Sequence, residues 1–168
     1  MSNADMPSAV ADRQAIAELI YRYCRSVDRL DVPLGHSIWH EDAIADYGQI
    51  YQGSGRGVID FICASHLQLT GHSHQIANII IELDGDLANS EAYATVTTRA
   101  ISDERILQMT MWVRYLDRLS KRRGIWGIDK RMAVIDFDEL REVRPLGNRL
   151  DGRRDRTDPS YEFLKSHV

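Results

Sequence analysis

Cysteine is scarce in this chain, and long apolar runs are missing altogether. The two cysteines, Cys24 and Cys63, each sit in an apolar helical pattern without a CxxC spacing. That excludes a disulfide scaffold and reads as buried thiols in a reducing compartment, the cytoplasm. No segment approaches the ~20 apolar residues needed to span a bilayer. Residues 1–10 lack the basic start and apolar run of a signal peptide. No membrane partner is expected. Positive charge is not in excess either. The formal net charge is −4, whereas nucleic acid demands a concentrated positive field. The late arginines, Arg141, Arg144, Arg149, Arg153, Arg154 and Arg156, are interspersed with Glu139, Glu142, Asp151, Asp155 and Asp158, the pattern of a solvated tail. There is no internal repeat, and Ser2-Asn3-Ala4 reads as a cloning remnant.

What is present is a globular balance: 43% hydrophobic and 27% charged over 168 residues, enough for one domain with its own core. From about Ala9 to Leu30, Ile16, Leu19, Ile20, Tyr23, Cys24, Val27 and Leu30 recur at helical steps and form one apolar stripe. Pro33 and Gly35 mark the exit from this helix. Ser37 to His40 reads as a short second helix, and Ala43 to Ile50 as a strand running into a turn. Gly53, Gly55 and Gly57 precede a third helix through Ile59, Ile62, Cys63 and His66.

After Gly71 the period changes to two. His72, His74, Ile76, Asn78 and Ile80 would then share one face of a strand. Turns at Asp84-Gly85-Asp86, Ser102-Asp103-Glu104 and Lys121 to Gly124 separate further strands at 87–101, 106–119 and 125–135. Helices first and a meander last predict an α+β domain, with helices packed on a strongly curved, mainly antiparallel sheet. Strands this long invite bulges, at Gly127 or near Asn78, and each would flip the inward face.

The residues that could carry chemistry are few. Asp28 borders the apolar stripe near the helix end, where a carboxylate must find a partner or protonate; alone, it reads equally as a surface group tied to a loop. His72 and His74, two apart on a strand, point the same way. A histidine in an apolar cavity, braced by a carboxylate, suits a general base near neutral pH. Each could instead be a core histidine bonded to a carbonyl. A metal site is the third reading, but no third ligand stands at a matching position, so none is expected. Arg131, in the last strand, either stabilises a developing anion or pairs with Asp129. Tyr23, on the stripe, could donate to a substrate oxygen. Tyr23 and Asp28 are about 140° apart around a regular helix, so sharing one cavity is not automatic. Trp39, Phe61, His66, Met109, Met111 and Met132 are candidates to line a pocket.

Together with Trp39-His40-Glu41-Asp42-Ala43 and the Tyr51-Gln52-Gly53 turn, these residues make the chain resemble the SnoaL-like branch of the nuclear transport factor two-like superfamily. The resemblance runs over residues 9–136 and leaves 137–168 as a charged tail. It is nearest to the group of scytalone dehydratase, bile-acid dehydratase and hexachlorocyclohexane dehydrochlorinase. It implies a cone-shaped α+β barrel and a cofactor-independent lyase acting on a small apolar cyclic or polycyclic molecule. It also implies a homo-oligomer, a dimer or trimer. The family aspartate falls on Asp28. The family histidine, four residues before an asparagine, falls on His74 with Asn78, and the family arginine falls on Arg131. Tyr23 matches the tyrosine of the bile-acid enzyme, where the dehydrochlorinase has lysine. His72 stands where the dehydrochlorinase has cysteine. The fold alone also serves isomerases, small-molecule-binding modules and the small subunits of ring-hydroxylating oxygenases.

Overall fold

The structure is a computed structural model and describes residues 6–148 and 151–164. The Ser2-Asn3-Ala4 segment and Arg149 lie outside the described residues. Helix α1 (Met6–Arg29) buries the expected stripe, Ile16, Leu19, Ile20, Tyr23, Cys24 and Val27. It ends where Leu30 turns left-handed (φ 54°) and the Asp31 amide returns to the Ser26 carbonyl at 2.8 Å. This is a Schellman closure with leucine in the place glycine usually takes.

Two expectations fail in the next segment. Pro33 and Gly35 do not lead out of the helical region but lie inside α2 (Val32–Ser37), which Asp31 caps by accepting from the Leu34 amide. Proline is tolerated there because the first turn has no intrahelical acceptor for its missing N–H. Nor do Trp39 and His40 end a helix. They open strand β1 (Trp39–Asp46), which pairs in parallel with the last strand, Trp39 opposite Ile128. A long-range pairing outweighs a local preference here. Strand β2 (Gln52–Ser54) returns along β1 and leads into α3 (Gly55–Ser65), where the Ser54 hydroxyl accepts from the Gly57 amide. Gly55 is required: a Cβ there would stand 2.3 Å from the Trp39 indole.

A short 3₁₀ turn (His66–Gln68) precedes the meander β3 (Gly71–Asp84), β4 (Leu87–Ser102), β5 (Arg105–Arg122) and β6 (Ile125–Val143). The sheet order is β2-β1-β6-β5-β4-β3, antiparallel except between β1 and β6. The sheet does not close on itself. The tight turns at Asp103-Glu104 and Arg123-Gly124 place both central residues at positive φ, the geometry that matches strand twist.

Bulges decide which side chains face in. In β3, Asn78 has φ 49° and two residues stand opposite one between the Ala77–Tyr93 and Ile80–Glu91 pairs. Thus His72, His74 and Ile76 face the interior, but Asn78 and Ile80 do not, and the inward set resumes at Ile79, Ile81 and Leu83. Asparagine tolerates this backbone better than most residues. In β6 the extra residues are Asp129 and Asp136. Gly127 does something else: its missing side chain leaves room for the His40 ring, which a Cβ would approach to 2.7 Å.

The strand β6 continues to Val143, so a boundary at 136/137 falls inside it. Beyond it, residues 151–164 dock on the end of α1. The Arg153 amide donates to Asp158 (2.8 Å), Tyr161 to Asp31 (2.8 Å) and Arg25 to Ser160 (3.2 Å), and Arg25 stacks over the Tyr161 ring. Among the described residues, no helix is long and apolar enough to cross a membrane.

Asp158 centres this clasp. The Ser160 hydroxyl and the Arg153 amide hold its carboxyl at about 2, below the usual 3.8. A depressed carboxyl contributes stability above its unfolded pKa and loses it as the pH falls through the folded value. The segment should therefore stay docked above about pH 4 and release as the pH falls toward about 2, read as early loss of amide protection in 151–164 relative to the sheet. Asp158→Asn should give the same release at neutral pH; retained protection would show that the clasp lies elsewhere.

Candidate active site

Asp28 occupies the last turn of α1, the negative end of the helix dipole, where a carboxylate is disfavoured by about 0.3–1 kcal/mol. Strand β3 supplies the compensation. The backbone amide of His74 donates to Oδ2 of Asp28 at 3.0 Å, and the Nδ1 of the same residue lies 2.8 Å from Oδ1. An ionised carboxylate only accepts, so Nδ1 carries the proton and Nε2 keeps a free lone pair. The angular separation of Tyr23 and Asp28 is no obstacle, because the imidazole stands between them. Asp28 grips its Nδ1 from an outer groove shared with Arg25 and Arg29, while the Tyr23 ring meets it edge-on at 5.9 Å.

His74 also lines an inner cavity of about 90 Å³. Its apolar wall includes Ile62, Val96, Met111 and Val113; its polar groups are His66, His72 and three phenols. Tyr23 and Tyr47 hold their hydroxyls 3.0 Å apart, and the Tyr23 and Tyr115 rings meet edge-to-face at 5.4 Å. Burial pushes the Tyr23 and Tyr115 phenols well above their ordinary value, and Tyr47 upward as well. All three therefore remain donors across the working pH range.

His72 is packed so tightly that burial, reinforced by His74, pulls its pKa to about 2; burial and then Arg154 pull His66 to about 4. Both are neutral near pH 7. His72 Nδ1 stands 3.3 Å from His66 Nδ1 and 3.9 Å from Asp28 Oδ1. Arg154, from the docked C-terminal segment, donates to the carbonyls of His66 (2.8 Å) and Leu69 (2.7 Å) and so fixes the turn that carries His66.

Several sequence expectations do not meet at the cavity. Arg131 is fully buried and bonded through two nitrogens to Asp117, its cross-strand neighbour, at 2.7 Å each. Its partner is thus not Asp129, which pairs with Arg122. The guanidinium lies under the rings of Tyr23 (4.3 Å) and Tyr115 (4.5 Å), behind the cavity wall and not among the residues that line it. Burial works against its charge, but Asp117 outweighs that and holds its pKa well above the ordinary value. Trp39 is core, wedged against Gly55; Phe61 is 42% exposed and packs on Tyr51. Met109 and Met132 also lie off the cavity wall. Conversely, sequence reasoning misses Tyr47 and Tyr115. Tyr115 continues the two-residue spacing of Met111 and Val113 along β5 and could have been read from it. Tyr47 lies just past β1, where Asp46 accepts from the Gly48 amide and the Tyr47 amide donates to the Tyr51 carbonyl. Its inward aim has no local signature. Asp28 also supplies the third metal-type donor beside His72 and His74 that strand spacing could not reveal.

An α+β cone with a buried acid–imidazole pair at its cavity defines a class of small-molecule pocket proteins. Within that class the chain belongs to the SnoaL-like domain family, which matches residues 8–132. Solved structures agree on the fold. A candidate scytalone dehydratase from Novosphingobium aromaticivorans superposes with a TM-score of 0.71 at 18% identity, covering 86% of this chain and 99% of that one. A type 2 hexachlorocyclohexane dehydrochlorinase (LinA) gives 0.75 at 19% identity, covering 88% and 100%. A point variant of a protein of unknown function from Mycobacterium tuberculosis gives 0.61 at 22% identity, covering 82% and 80%. A search of curated proteins finds no match.

Removing one partner of a buried ion pair strands the other charge and costs about 3–5 kcal/mol. Arg131→Met and Asp117→Asn should each lower unfolding stability on that scale in chemical denaturation. Little loss in either would contradict the structural role assigned to the pair.

Proposed function

We propose that the chain is a cofactor-independent lyase that removes a proton and expels a leaving group from a small, largely apolar cyclic molecule. The observation that carries this reading is the double grip of Asp28 on His74. It fixes the tautomer, leaves Nε2 as the base, and places a carboxylate where the imidazolium forms. His74 takes a proton from carbon, most readily from one beside a carbonyl. The Tyr23 hydroxyl, which accepts from Tyr47 at 3.0 Å, donates to the substrate oxygen as negative charge develops there. The carbon–leaving-group bond then breaks as its electron pair goes with the leaving group: a halide departs as the anion, and a hydroxyl departs as water by taking back the proton held on the His74 imidazolium, with His72 neutral beside it.

The cavity limits the substrate. An engineered cavity of ~150 Å³ holds benzene, so about 90 Å³ admits only the reacting edge of a ring unless the walls give way. A polycyclic substrate would leave its remaining rings at the mouth. The dehydratase and dehydrochlorinase neighbours support elimination over isomerisation. The two buried free thiols fit a cytoplasmic setting.

Positioned acid–base catalysis contributes roughly 10² to 10⁴ in rate. His74→Ala should lose that factor with its unfolding midpoint little changed, and Asp28→Asn should lose a large part of it in a protein that still folds but unfolds earlier. Turnover of hydroxylated or halogenated cyclic ketones should yield products lighter by water or hydrogen halide. Products of unchanged mass would mean an isomerase. Ligand binding without turnover, insensitive to His74→Gln, would mean a binding module.

The proposal includes self-association. The outer sheet face exposes Tyr93 and Phe137, with Trp112 stacked on Phe137 at 4.6 Å, an apolar patch of the kind that marks an interface. Light scattering should give a mass two or three times that of the chain, and Phe137→Glu should reduce it. A wild-type monomer would overturn this part.

A further inference from the structure

Around Asp28, more ligand atoms converge than proton transfer uses. One donor atom each from Asp28, His72 and His74 lie within 4.8 Å of one another. Oδ1 of Asp28 is 2.8 Å from His74 Nδ1 and 3.9 Å from His72 Nδ1. The first distance is a hydrogen bond. The second is beyond the ~3.2 Å reach of an N–H···O bond. The His72 side chain is 1% exposed, its Nδ1 lies 3.3 Å from the His66 nitrogen, the Val27 backbone also acts on the ring, and its Nε2 is buried without a hydrogen-bond partner. A buried imidazole without a strong hydrogen bond is costly to keep. His72 is therefore held near the carboxylate by packing and strand geometry, not by a hydrogen bond to Asp28.

We propose that Asp28, His72 and His74 form a binding site for a divalent transition-metal cation of the zinc class. Two imidazoles and one carboxylate are a ligand set for such ions, with metal–ligand bonds near ~2.0–2.2 Å and a fourth position open. Tetrahedral bonds of that length set ligands about 3.3 Å apart, and the observed 2.8 and 3.9 Å bracket that spacing. Small side-chain rotations would close the set. The backbone already provides the convergence, because His72 and His74 leave β3 on the same face and the last turn of α1 sets Asp28 across from them. Calcium and magnesium are excluded by their demand for six or more oxygen ligands.

The cation and the braced base exclude each other. Metal on His74 Nδ1 moves the ring proton to Nε2, and the lone pair that would take a substrate proton is lost. The site is thus inhibitory to elimination. The inference itself stands without that reading, because it concerns binding and is tested without substrate.

The test is calorimetric titration of the chelator-stripped full chain with zinc chloride, with cobalt(II) as a spectroscopic stand-in. Expected are one zinc per chain and a cobalt visible band of four-coordinate intensity. Loss of an outer-shell partner alone weakens metal sites by ~10–100-fold, so His72→Ala and Asp28→Asn, each removing a ligand, should weaken zinc binding by at least ~100-fold. His66→Ala should change it little, and magnesium should not compete. Asp28→Asn preserves side-chain volume and keeps the test valid should His72→Ala fail to fold. Absence of one-to-one binding, or undiminished affinity in a folded Asp28→Asn or His72→Ala protein, overturns the proposal.

Discussion

The structure turns on one carboxylate held at the wrong end of a helix. Asp28 sits where the dipole of α1 opposes its charge, and the amide and ring of His74 offset that cost together. The amide bond sets where β3 lies along the helix, and the ring bond sets how the imidazole is turned. Packing of the first helix on the edge strand and orientation of the base are therefore the same interaction. This is why the helix must stop at Leu30 with a tight left-handed closure: another turn of helix would carry the chain past β3 instead of into α2.

Behind the cavity lies a second constraint. Arg131 and Asp117 face each other across β5 and β6 and neutralise each other without water. Such a pair often adds little net stability, but here the guanidinium faces two aromatic rings of the cavity wall. A cation within ~6 Å of a ring centroid is attracted to its face, so Arg131 fixes Tyr23 and Tyr115 in position from behind the cavity wall. Its effect on the site is exerted through the phenols.

Much of this was legible because it is periodic. The stripe of α1, the return of His72 and His74 to one face, and the tight turns follow from spacings of 3.6 and 2. Asp28 and His74 could be paired only through the family resemblance, since nothing local relates residues 46 apart. Where reading failed, the cause was non-local. Trp39 and His40 are strand because β6 lies alongside, Arg131 pairs with Asp117 because Asp117 is its register partner, and Tyr47 faces in because a turn aims it. The bulge at Asn78 shows the limit of strand periodicity. One extra residue reverses every assignment after it, and only the placement of a tolerant asparagine hints at it.

The three histidines divide the electrostatic work unequally. In the proposed elimination, the imidazolium at His74 would form 4.7 Å, centroid to centroid, from the ring of His72. Were His72 charged, like-charge repulsion in a poorly solvated site would oppose that step. Burial keeps His72 and His66 neutral, so a charge on His74 meets the Asp28 carboxylate without a second imidazolium beside it. The turn carrying His66 is pinned by Arg154 from the C-terminal segment, and that segment is clasped by Asp158 to the end of α1. A tail outside the sheet thus helps keep water from two buried imidazoles. In the proposed reaction, the charge on His74 would depend on their neutrality as well as on Asp28.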